Sequence, residues 1–194
     1  MYRYFIIYKP YLVLSQFTSG DDKKTLTDFF DVPKNVYPVG RLDYDSEGLL
    51  ILTNDPALNH QLLDPKFKHE REYWVQVEGE ITKEKLNQLS IGVNISIDGK
   101  LYRTQKAVAK ILSNNVNVHE RNPPIRFRKA IPTSWISLTL TEGKNRQVRK
   151  MTAAVGFPTV RLIRYRIGQC NMEGVMPGDM IVYSQKELNH LLFK

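Results

Sequence analysis

Three acids, Asp43, Asp45 and Glu47, alternate along the stretch GRLDYDSEGLLILTND (residues 40–55), and Asp55 closes it, in a chain of 194 residues with a net charge of +8. Carboxylates spaced this way at a bend can do several kinds of chemistry. Asp43, Asp45, Glu47 and Gly48 match positions 1, 3, 5 and 6 of a calcium-binding loop, but position 12, which should be a bidentate Glu, is Asn54. The flanks PVGRL and LLILT also read as extended chain rather than helix. A pair of carboxylates can hydrolyse a glycosidic bond, although the sequence does not fix the separation of Asp43 and Asp45 at a bend. An acidic turn can also be structural, with Asp and Ser bonding their own backbone and Arg41 pairing with Glu47.

A fourth chemistry depends on where the positive charge sits. Lys144, Arg146, Arg149, Lys150, Arg161, Arg164 and Arg166 fall between Gly143 and Arg166 with no acid among them. Arg146, Arg149 and Lys150 stand at i, i+3 and i+4, one face of a helix. Arg121, Arg126, Arg128 and Lys129 form a second acid-free tract. Evenly scattered charge needs no explanation, whereas two basic tracts point to an anionic partner, of which nucleic acid is the commonest. About seven contacts to single-stranded phosphates would give a salt slope near −5, at roughly −0.7 each. On bound RNA, one carboxylate can attack a base or sugar carbon or remove a proton. It must stay ionised while shielded from water, and a nearby Arg offsets the upward pull of burial on its pKa.

The elements that must position these groups follow from pattern. YFIIY (4–8) reads as a strand ended by Lys9-Pro10, and TLTDFF (25–30) as a short helix. VYPVGRLD is extended and bends near Asp45 to Gly48, and LLILT (49–53) is a buried strand. Asp55 followed by Pro56 marks a helix start. EYWVQVEG (72–79) is a strong strand. Thr82 caps a helix running to Leu89, with Gly92 beyond it. AVAKIL (107–112) and SWISLTL (134–140) alternate as sheet strands, separated by an irregular loop with three prolines. NRQVRKMTAAVG is a helix with Val148, Met151, Thr152 and Val155 on its apolar stripe, TVRLIRYRI is a strand, and Ser184 with Glu187 forms a capping box for a last helix. These elements lack a regular βαβ rhythm, which points to an α+β fold.

Composition narrows the class. The lone cysteine, Cys170, allows no intrachain disulfide and fits a reducing compartment. The apolar run at the amino end is too short for a signal core, and no stretch of 18 apolar residues exists to span a membrane. His60, His69, His119 and His190 lack metal-ligand spacing. The expectation is a soluble cytoplasmic protein, and a monomer, since no heptad or exposed apolar helix is evident.

GRLDYDSEGLLILTND resembles the signature of the A-type RNA pseudouridine synthases, which act on small-subunit ribosomal RNA, and of their large-subunit relatives. YKP near the start, HEREYWVQVEG, and LTEGKNRQVRKMTAAVGFPTVRLIRYRIG resemble further blocks of that family, in the same order and over nearly the whole chain. The resemblance implies an enzyme that isomerises a uridine in RNA without cofactor or metal. It makes Asp43 the catalytic aspartate and Tyr73 the tyrosine that stacks on the base. It makes Arg149 the basic residue paired with the aspartate, and Leu162 the apolar residue beneath the site. Arg41, Arg126, Arg128, Lys144, Arg146, Lys150, Arg161, Arg164 and Arg166 are then the candidate RNA contacts.

The implied fold is a mixed, largely antiparallel central sheet flanked by helices. It would form a single catalytic domain over residues 1–194, or two subdomains that share one continuous sheet with the active-site cleft between them. Many relatives carry an S4-type RNA-binding domain first. Here the catalytic strand starts at residue 4, so none is expected, as in the large-subunit pseudouridine synthase E group. The loop from Asn114 to Thr133 would partly replace its grip on RNA. Ribosomal RNA, in particular 23S RNA, is the expected partner. The alternatives are 16S RNA or tRNA as target, a non-catalytic rRNA-binding or assembly protein, and a glycosidase acting on free nucleosides.

Overall fold

In a computed structural model of the chain, residues 1–113, 116–125 and 132–193 are described. Two compact units emerge: Met1–His69 with Ile163–Lys194, and Glu70–Leu162. The fold is α+β.

In the first unit, strand β1 (Tyr4–Lys9) is buried along its whole length and pairs antiparallel with β3 (Glu47–Thr53), in the register Lys9 to Gly48. A two-residue strand β2 (Tyr37–Pro38) joins the far end of β3, and β11 (Met180–Tyr183) lies antiparallel on β1. β9 (Thr159–Ile167) meets β3 in parallel at Glu47 to Ile163 and Gly48 to Arg164. Its residues through Leu162 belong to the second unit, and its other end pairs with the short β10 (Cys170–Asn171). Within β3, residues 49–52 read as an unbroken apolar run, which suits a strand buried along its whole length. A core of Phe5, Ile7, Leu26, Phe30, Leu50 and Leu52 forms around it.

Local chemistry sets the ends of the helices in this unit. Asp55 accepts hydrogen bonds from the N–H groups of Ala57 and Leu58, with Pro56 at the first helical position, and so starts α1 (Pro56–Leu63). Ser184 and Glu187 form the capping box expected for the helix Gln185–Leu192. The segment 25–30 supplies only a 3-10 turn, Leu26–Asp28, also closed by a capping box, between Thr25 and Asp28.

In the second unit, β4 (Arg71–Glu78) pairs antiparallel with β8 (Thr133–Leu140), which pairs with β7 (Val108–Ile111). Helix α2 (Lys83–Ile91) is capped by Thr82, as its sequence pattern predicts. Helix α3 (Gln147–Ala154) buries Val148, Met151 and Thr152. It starts two residues later than the pattern predicts, because Arg146 takes a left-handed conformation at its N-terminus. A hairpin of β5 (Asn94–Ile97) and β6 (Lys100–Arg103) adds to the expected elements. Its two-residue turn is Asp98-Gly99, both at positive φ, the conformation for which Asp-Gly is the preferred pair.

Candidate active site

Asp43 stands one turn ahead of β3, half-buried, and three separate contacts fix its backbone. The N–H of Ser46 donates to the Asp43 carbonyl at 3.0 Å, closing a turn over residues 43–46. The carbonyl of Tyr44, inside that turn, accepts from Leu12 N–H at 3.0 Å. On the other side the buried hydroxyl of Ser15 both accepts from Leu42 N–H (3.0 Å) and donates to the Leu42 carbonyl (2.8 Å).

The segment that receives Tyr44 is itself held by Lys9. This side chain is fully buried, and its Nζ donates to the carbonyls of Pro10 (2.9 Å) and Val13 (2.7 Å). Burial pulls the Lys9 pKa from 10.5 down to about 7, with a smaller downward push from Arg164, while Glu47, Asp45 and Asp43 work in the opposite direction. In sequence Lys9 reads only as the end of a strand. A lysine at the inner end of an apolar strand, followed by proline, is the signal that could have marked it.

The turn leads into Gly48, the point where β3 meets β9. Its φ is +104°, and a Cβ there would lie 2.4 Å from the Arg164 carbonyl oxygen. Arg164 Nε in turn donates to the Leu49 carbonyl at 2.7 Å. Glycine at this position is therefore a requirement of close backbone approach.

The other candidate catalytic residues lie in the second unit. Tyr73, on β4 opposite Leu138, is half-buried and packs on the core that includes Val75, Val148, Met151 and Leu162. Leu162 is buried there as the sequence pattern predicts, and Arg149, half-buried, projects from α3.

The entry to α3 is built around Glu142, which is only 7% exposed. Its carboxylate accepts from Tyr102 Oη (2.5 Å), Gln105 N–H (2.8 Å) and Gln147 Nε2 (2.6 Å). The hydrogen bond to Glu142, then burial, pushes the Tyr102 phenol up to about 12. The Lys144 ammonium lies 5.2 Å from the Tyr102 ring centre. This network ties the β5–β6 hairpin to the loop carrying Lys144 and Arg146.

The candidate RNA contacts divide by burial. Arg41, Lys144 and Arg146 are exposed, and Lys150 and Arg166 are half-buried. Arg161 and Arg164 are 4% and 5% exposed. They sit on β9 between apolar neighbours, and Arg164 is engaged with the β3 backbone. Arg126 and Arg128 lie outside the described residues. Among the described residues no group of three His, Cys, Asp or Glu is placed to hold a metal, and no helix is long and apolar enough to cross a membrane.

Comparison with known proteins gives this arrangement a family. A family model for RNA pseudouridylate synthase matches residues 3–154, a span that holds Asp43, Tyr73 and Arg149. A ribosomal large subunit pseudouridine synthase E from Vibrio vulnificus is 50% identical over 174 residues, which cover 90% of this chain and 72% of the relative. Its counterpart from Xanthomonas axonopodis pv. citri is 49% identical, covering 89% of both chains. A solved pseudouridylate synthase superposes with a TM-score of 0.79 at 28% identity, covering 99% of this chain and 74% of that one. With a buried strand presenting an aspartate from GRLD, and with matches of this extent, the chain belongs to the RNA pseudouridine synthase family, isomerases that turn uridine in RNA into pseudouridine.

Proposed function

We propose that this chain isomerises a specific uridine of the large-subunit (23S) ribosomal RNA, as a member of the E group of large-subunit synthases within the A-type branch of the family. The names carried by its relatives support the substrate. The observation that carries the reading is the main-chain clamp on Asp43, since a merely acidic turn needs no such immobilisation.

In this reading the target nucleotide is flipped out of its stack, at a cost of a few kcal/mol that phosphate contacts offset. Asp43 then acts on the uridine, at C6 of the base or by promoting departure of the base from C1′. The N1–C1′ bond breaks, the base rotates, and a C5–C1′ bond forms. The C5 hydrogen leaves as a proton and N1 gains one. Tyr73 stacks on the base and assists removal of the C5 proton. Arg149 keeps the carboxylate ionised and oriented, and Leu162 packs beneath the base. Arg41, Lys144, Arg146, Lys150 and Arg166 bind phosphates. The same reading places the enzyme in the cytoplasm as a monomer.

The experiment uses in-vitro-transcribed 23S RNA labelled with tritium at uridine C5. Wild-type protein should release tritium, whereas Asp43→Ala should release none and still bind the transcript with unchanged affinity. Appreciable turnover by Asp43→Ala would refute the assignment. Binding without any wild-type turnover would favour an assembly protein.

A further inference from the structure

The first unit holds a second feature next to the catalytic turn. A cleft of about 790 Å³ is lined by Ser15, Gln16, Phe17, Lys34, Tyr37 and Arg41, with further residues of the 27–40 segment behind them. That is within the roughly 300–1,000 Å³ of clefts that enclose a small ligand. Resting on the proposed function, the geometry points to this cleft as a subsite for one unstacked nucleotide of the RNA strand that carries the target uridine.

Four observations select that occupant. The first is continuity, because Ser15 lines the cleft while its hydroxyl clamps Leu42, and Arg41 is two residues from Asp43. A nucleotide here is covalently continuous with RNA presented to Asp43. The second is an aromatic platform. Tyr37 is 63% exposed, which no packing role explains, and Phe17 is half-buried against the core, so that its ring is anchored. Proteins recognise unpaired bases by stacking them on such rings.

The third is charge. Arg41 and Lys34 are exposed cations at the cleft, and the acid that lines it, Asp31, leaves a surplus of one positive charge. An anionic phosphate fits this balance better than a neutral or cationic ligand. The fourth is orientation. Gln16 Oε1 accepts from Arg41 Nη2 at 3.4 Å, and Gln16 Nε2 donates to the Thr18 carbonyl at 2.6 Å. Gln16 thus ties the guanidinium to the wall formed by residues 15–18, where a planar fork suits a phosphate.

The test uses the full chain and in-vitro-transcribed 23S RNA containing 4-thiouridine and C5-tritiated uridine. Cross-linking followed by peptide mapping should place a nucleotide on the peptide containing Tyr37. Tyr37→Ala should weaken transcript binding about tenfold, within the range of one lost base stack, and should raise KM for tritium release while leaving kcat near wild type. Gln16→Ala should act in the same direction, and Tyr37→Phe should restore binding, because it keeps the ring. Absence of a cross-link at this peptide, or a KM for Tyr37→Ala equal to wild type, would overturn the subsite even where wild-type turnover is normal. If the wild type releases no tritium, the proposed function falls, and the cross-link and binding arms still decide the cleft. Equal binding of a peptide or free mononucleotide with no transcript cross-link would assign the cleft to another ligand.

Discussion

Replacing Gly48 by alanine should break the joint on which the Asp43 turn rests. Gly48 sits at φ +104°, where an L side chain is strained, and its new Cβ would lie 2.4 Å from the Arg164 carbonyl oxygen and 2.9 Å from the Arg164 nitrogen. Both obstacles are backbone, so the relief available is separation of β3 from β9. The conformational part costs about 1–2 kcal/mol. Separation also loses the charged hydrogen bond from Arg164 Nε to the Leu49 carbonyl, 2.7 Å long, worth about 1.5–3 kcal/mol. Together these remove about 3–5 kcal/mol from a total of about 5–15 kcal/mol. With a urea m-value of about 2 kcal/mol/M, the unfolding midpoint should fall by about 2 M. Gly20→Ala is the control, since Gly20 has an ordinary φ and nothing within 4 Å of its added Cβ, and it should leave the midpoint in place. A Gly48→Ala midpoint within about 0.3 M of wild type, on the same m-value scale, would refute the claim that close approach dictates this glycine.

Other perturbations test other parts of the site. The Lys9 pKa is lowered from 10.5 to about 7, so between those values the unfolded chain holds more protons. Wild-type stability should therefore rise with pH relative to Lys9→Met, by up to about 1.4 kcal/mol per pH unit, and the difference should level off below about pH 7. Urea titrations across that window check it, and a difference that is flat throughout would show that Lys9 stays charged. Glu142→Gln removes the carboxylate on which three donors converge and should cost about 1.5–3 kcal/mol by thermal or urea unfolding. RNA affinity should follow salt with a log–log slope near −3.5 rather than −5. The five proposed phosphate contacts, Arg41, Lys144, Arg146, Lys150 and Arg166, at roughly −0.7 each give that slope.

Much of this is legible in the sequence, for identifiable reasons. β1, β3, β4 and β8 announce themselves by apolar and β-branched runs, and α1, α2 and the C-terminal helix by caps whose hydrogen bonds are local. The place of Asp43, ahead of a buried strand, follows from the same pattern. The β5–β6 hairpin carries a legible signal too, Asp98-Gly99 flanked by alternating residues, but its strands are short and mostly exposed, so they lack the apolar runs that mark the others. The burial of Lys9, Arg161 and Arg164 could not be read from local pattern. A cation's fate depends on partners far away in sequence, as with Arg164 and Leu49 (|i−j| = 115). Ser15 illustrates the same limit, because its partner Leu42 is 27 residues distant.

Buried basic side chains bear on how the turn around Asp43 is built. An apolar replacement for a buried charge is often as stable as the original or more so, so Lys9 and Arg164 are poor choices if stability alone matters. Each instead donates to main-chain carbonyls: Pro10 and Val13 for Lys9, Leu49 for Arg164. Those carbonyls flank the two connections that Asp43 depends on, the Leu12–Tyr44 bond and the Gly48–Arg164 approach. Rigid placement of a reacting group accelerates chemistry because the entropy of alignment is lost before the substrate arrives. The two buried side chains thus hold the turn around Asp43 in place, while Arg41, Lys144 and Arg146 are exposed to solvent.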